Sequence, residues 1–86
     1  MYNSAIVEFL GTALLVGAAA FTQSASFVIA ALAIALGFYP KGHFNPAITG
    51  WALASGKIGT QKAMSYLIAQ FGAGLLIFMM NSIIAV

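Results

Sequence analysis

Only four side chains in this chain carry a full charge: Glu8, Lys41, Lys57 and Lys62. They make up 5% of the 86 residues, against 63% hydrophobic residues and a mean hydropathy of +1.05. A soluble domain of this length needs a polar shell, and one acid with three lysines cannot supply it. The comfortable solvent for such a surface is a lipid bilayer. The lysines form no basic run or stripe, so nothing in the sequence points to nucleic acid. With no cysteine the chain has no disulfide framework and no thiolate chemistry. Residues 1–7 carry no Lys or Arg and Glu8 follows them. The first apolar run therefore lacks the positive n-region of a secretory signal peptide.

The expected fold class is an all-α membrane protein, a single domain over 1–86 with three transmembrane helices and one re-entrant half-helix. The first span is 4–21, apolar apart from Glu8 and Thr12. At 1.5 Å per residue it covers roughly 27 Å, close to the hydrocarbon thickness. The short, uncharged break at Thr22-Gln23-Ser24 returns the chain directly into a second span, 24–39. Pro40 ends that span, because it removes a backbone donor and disfavours helix at the residue before it. A third span, 63–86, contains Gly72-Ala73-Gly74, a run suited to close helix packing in lipid. Between the last two spans lie a re-entrant loop and half-helix, 41–55, and a polar turn, 56–62, where Gly56 suits a helix C-terminus.

The polar stretch Lys41-Gly42-His43-Phe44-Asn45-Pro46-Ala47-Ile48-Thr49 sits where a membrane protein should be least polar. Irregular backbone at membrane depth is tolerated only inside protein or against a water-filled cavity. Asn45 is a good N-cap, and Pro46 fits a first helical turn, so the half-helix is expected to start there. Its positive dipole end then points back at the loop, as in broken helices that meet substrates at the midplane. The bland alternative is an aqueous loop followed by a surface amphipathic helix. Against it, residues 46–55 carry no charge, whereas a surface helix normally has a Lys- or Arg-rich face.

Glu8 could serve proton transfer, or it could be an acceptor that anchors loop N–H groups. The second is favoured because there is no other acid to form a relay. His43 could be a pore-lining donor, a pH-sensitive gate or an interfacial loop side chain. One His without a second His, Cys or nearby acid is not a metal site. No nucleophile–base pairing or phosphate-cradling glycine loop is present, so no enzyme activity and no cofactor are expected. Lys57 and Lys62 place the 56–62 turn and the N-terminus on the cytoplasmic side by the positive-inside rule.

Three ordered blocks, Glu8-Phe9-Leu10-Gly11-Thr12, Gly42–Thr49 and Tyr66–Gln70 with Gly72-Ala73, resemble the major intrinsic protein family of aquaporins and glycerol facilitators. The resemblance covers nearly the whole chain, but only the first of that family's two inverted repeats. It implies a channel for water or small neutral solutes such as glycerol. Asn45, Pro46 and Ala47 would form half of the paired Asn-Pro-Ala signature. Carbonyls of Gly42, His43 and Phe44 would line the pore, and Glu8 would steady the loop. The chain departs from the family in its selectivity region. Ile48 stands where the second repeat would carry an arginine, and the pore-narrowing aromatic of span two falls on Ala25. Both changes imply a wider constriction.

One repeat cannot enclose a pore, so the expected partners besides the bilayer are a second copy, paired antiparallel, or a complementary half-channel. The end at Ile84-Ala85-Val86, without a polar tail, suits a truncated frame. A membrane-perturbing or regulatory protein without selective transport is the alternative from another class.

Overall fold

The computed structural model describes residues 4–84. They fold into four helices, α1 (Ser4–Thr22), α2 (Ala25–Phe38), α3 (Pro46–Ala54) and α4 (Thr60–Ile84), with no strand among them. The last two residues of the expected 63–86 span lie outside the described residues.

Helices α1 and α4 arise from the two longest apolar runs without proline. Their 19 and 25 residues make both long and apolar enough to cross a membrane. Helix α2 is shorter than the expected 24–39 span. It has 14 residues, about 21 Å of rise. Ser24 is already extended at its start (φ −118°, ψ 123°), and Tyr39 leaves the helix at its end (φ −145°, ψ 87°). Pro40 explains the second boundary, since its ring excludes the α conformation at Tyr39. Helix α4 in turn begins earlier than expected. Thr60, Gln61 and Lys62 belong to it, and the polar connection contracts to residues 55–59.

Helix α3 has well-formed caps at both ends. Asn45 is its N-cap, with an extended backbone (φ −159°, ψ 123°), and Oδ1 accepts the Ala47 N–H at 2.7 Å. Pro46 occupies the first helical position, where a missing N–H costs nothing. At the other end the Gly56 N–H reaches Leu53 O and the Lys57 N–H reaches Ala52 O. This paired closure is the Schellman arrangement, which needs a left-handed residue. Gly56 supplies it at φ +74°.

The most extensive helix contact is α1 against α4, and the two run parallel. Glu8 meets Gln70 near one end, and Gly17 faces Ile77 further along. Parallel neighbours need a return path, which α2 and the loop with α3 provide. Helix α2 packs antiparallel on α1, and α3 packs on α4. Helices α2 and α3 do not pack on each other.

The distribution of side chains is inverted relative to a water-soluble domain. Alanines fill much of the core, at Ala31, Ala35, Ala52, Ala63 and Ala73. Glu8, Thr12, Thr49 and Gln70 are buried with them. Large apolar residues point outward instead, led by Phe38 at 88% exposure and Ile83 at 83%.

Candidate functional site

Polar groups from three helices converge where the chain between α2 and α3 dips into the interior. Glu8 lies one turn into α1 and is fully buried. Its Oε2 accepts the His43 N–H at 2.7 Å, and its Oε1 accepts the Phe44 N–H at 2.8 Å. Gln70, from α4, donates Nε2–H to the same Oε1 at 3.0 Å. One carboxyl group thus satisfies two consecutive loop amides and ties the loop to two helices. Left without an acceptor, each of those buried donors would cost about 1–3 kcal/mol.

The network continues through Thr49. Gln70 Nε2 donates to Thr49 Oγ1 at 2.8 Å, so both amide hydrogens of Gln70 are used. Thr49 Oγ1 is also 2.8 Å from His43 Nδ1. A hydroxyl that accepts from Gln70 can still either donate to Nδ1 or accept from it, so this contact joins His43 to the network in either tautomer. The His43 ring packs edge-on against Tyr66, with centroids 5.1 Å apart and planes at 72°. Tyr66 in turn neighbours Tyr39 at the end of α2.

Phe44 is the strained point of the loop. It adopts φ +57°, a left-handed conformation rare for an aromatic residue and worth about 1–3 kcal/mol of strain. Two features hold it there. Glu8 takes its N–H, and its ring is buried between Gly11 and Gly42, where an added Cβ on either glycine would collide with the ring. The left-handed turn directs the next residue, Asn45, into the cap of α3.

Asn45 is exposed, and since its Oδ1 is taken up by Ala47, its amide N–H groups are the polar atoms it presents outward. They border a groove of about 510 Å³ to which Thr12, Pro46, Gln70 and Gly74 also contribute. No charged residue lines it. Thr12 Oγ1 and Gln70 Oε1 are buried there without a hydrogen-bond partner.

Glu8, Gly42, His43 and Phe44 therefore form one cluster, with Asn45, Pro46 and Ala47 opening the helix beside it. Ala25 and Ile48 are not brought together. Ala25 is exposed at the far end of α2, Ile48 is 45% exposed in the first turn of α3, and those helices do not touch. Among the described residues no three His, Cys, Asp or Glu side chains gather to hold a metal ion. The residues added to the cluster by the fold are Thr49, Tyr66, Gln70 and Gly11. A signal for Gln70 exists in the sequence, since a lone amide within an apolar helix calls for an interior partner just as Glu8 does. No family model, curated protein or solved structure matches the chain.

Proposed function

We propose that the chain is half of a membrane channel for water and small neutral solutes, completed by a second half. The observation that carries this reading is the Glu8 carboxyl, which holds two consecutive amides of an irregular loop and aims a short helix from the interior. A surface loop has water for those amides and needs no buried acid. A loop lowered into a bilayer does need one.

Depth supports the same reading. Gln70 lies ten residues into α4, about 15 Å along its axis, and its partner Glu8 lies four residues into α1, about 6 Å along that one, so the network sits inside a ~30 Å hydrocarbon layer rather than at its surface. Helix α3 has nine residues, about 14 Å, which reaches from that depth to one face. The exposed Phe38, Ile68 and Ile83 then face lipid. In this arrangement the Asn45 amide donates hydrogen bonds to a passing oxygen atom. The positive end of α3 disfavours cations, and the uncharged groove admits neutral solutes. Resemblance to the aquaporin and glycerol facilitator family supplies the paired architecture, with the 42–44 carbonyls as acceptors along the path. Ala25 and Ile48 in its selectivity region favour solutes larger than water.

Two copies in opposite orientations reproduce that pairing. One observation favours a complementary half instead: Lys41, Lys57 and Lys62 all lie at the same end of the fold, which biases every copy toward one orientation, with that end cytoplasmic. The test is stopped-flow volume change of liposomes holding only this chain. Flux of water or glycerol above that of empty liposomes, reduced at least tenfold in Asn45→Leu, is expected for the self-paired channel. Flux that appears only with a second-repeat chain assigns the complementary half. Release of large dyes, or no flux in either arrangement, overturns the channel.

A further inference from the structure

The lysines are scattered in the sequence and gathered in the fold. Because α1 and α4 run parallel, Ala5 and Lys62 share one end and border the same groove. Lys57 follows the C-terminal cap of α3, five residues before Lys62. Lys41 lies two residues beyond Tyr39, which neighbours Tyr66, and the Lys62 ammonium sits 5.6 Å from the Tyr66 ring. All three lysines are exposed, and this end has no acid to answer them. The one acid, Glu8, is fully buried and its oxygens are taken up by the loop and Gln70.

We propose that this end is a docking surface for anionic phospholipid headgroups. The proposal rests on the bilayer placement above, but not on conduction. Charge complementarity selects the partner: three uncompensated cations against a phosphodiester whose headgroup carries no balancing ammonium. Lys62, Gln61, Ser65 and Gly59 border an open groove of about 500 Å³, roomy enough for a phosphate group. Trp51 marks the same level. It is 58% exposed, and the Lys57 ammonium lies 5.7 Å from its ring. An aromatic ring with a lysine reaching past it is the pattern of side chains at the headgroup layer. Juxtamembrane lysines each strengthen attraction to anionic lipid severalfold.

Trp51 is the single tryptophan, so its fluorescence reports on this end alone. The experiment reconstitutes the whole chain in mixed phosphatidylcholine–phosphatidylglycerol vesicles, with the acyl chains of one lipid or the other brominated. Brominated phosphatidylglycerol is expected to quench Trp51 as if enriched about three- to tenfold over its bulk fraction. Lys41→Gln with Lys62→Gln should bring that ratio close to one, and Lys41→Arg with Lys62→Arg should preserve it. Lys57 is kept, because its ammonium lies over the reporting ring. Equal quenching by both lipids overturns the docking surface while leaving the membrane placement standing. Loss of the preference on adding inorganic phosphate, but not chloride of equal ionic strength, makes the ligand a free anion and overturns the lipid assignment. No quenching by either lipid overturns the placement and this surface together.

Discussion

The centre and the periphery of this molecule obey opposite rules. At the centre, Glu8, Thr49 and Gln70 are each at most 2% exposed, and every bond among them has a defined donor and acceptor. At the periphery Phe27, Ile29, Ile68, Phe78 and Ile83 are all more than 60% exposed and touch little. In water the periphery would dominate stability through the hydrophobic effect. In lipid it contributes almost nothing to holding the helices together, because the tails are as apolar as the side chains. In the bilayer placement proposed above, the burden falls on the hydrogen bonds and on close packing of small residues. Disruption at the centre should therefore be costly and disruption outside nearly silent.

The largest effect is expected at Glu8. Glu8→Leu leaves the His43 and Phe44 amides and one Gln70 hydrogen without acceptors in a buried site. At about 1–3 kcal/mol each, with partial relaxation of the loop, destabilisation should reach roughly 3–5 kcal/mol. The measurement is the midpoint of reversible unfolding by sodium dodecyl sulfate in mixed micelles, followed by helicity. A change below about 1 kcal/mol would place the loop's stability elsewhere and erase the contrast between centre and periphery.

Next comes the packing around Phe44. Gly11→Val puts a branched side chain into the space of the Phe44 ring, and overpacking of this kind costs about 1–3 kcal/mol. Shrinking the ring should relieve it, so Phe44→Leu combined with Gly11→Val is expected to be less destabilised than the sum of the single variants. Strict additivity in that cycle would mean that ring and glycine do not share the site. Ile68→Ser, on the 69%-exposed α4 surface, is the peripheral counterpart and should shift the micellar midpoint by no more than about 0.5 kcal/mol.

How much of this was legible in the residues follows the same division. The start of α3 at Asn45-Pro46 and its end at Gly56 could be read locally, because capping depends on residues within a turn of each other. Glu8 as an acceptor for loop amides could be read from scarcity, as the one acid in an apolar span. The extent of α2 could not be read as well. Hydropathy ran through Ser24 and Tyr39, while the backbone stops short at both. The bridging role of Gln70 was hidden for another reason. It depends on the parallel register of α1 and α4, a tertiary property that no local window encodes. The left-handed Phe44 was equally opaque, since its strain is tolerated only through contacts from residues 8, 11 and 42.

Thr49→Val is a smaller test of the same centre, since it preserves shape and deletes one oxygen. Gln70 loses one acceptor and His43 Nδ1 loses its hydroxyl partner, and about 1–2 kcal/mol of destabilisation is expected. Thr49→Ser should restore the wild-type midpoint. A loss in Thr49→Ser with none in Thr49→Val would assign Thr49 a packing role only.

The smallest destabilisation, and the most informative result about function, is expected at Gly72 and Gly74. The sequence marks them for close helix packing, yet a Cβ at either position would meet nothing within 4 Å. Ala73, between them, is the residue buried against the rest of the chain. Gly72→Ala with Gly74→Ala should therefore leave the micellar midpoint unchanged, or raise it by up to about 1 kcal/mol per glycine through helix propensity. If these glycines let a second half approach α4 beside the Asn45 groove, the same variant should weaken pairing, measured by energy transfer between labelled chains in bilayers. Its flux in liposomes should fall in step with pairing. Unchanged stability with unchanged pairing would make this face lipid-facing and move the second half to another surface. Lost stability would mean the glycines serve the single chain, contrary to the open space around them.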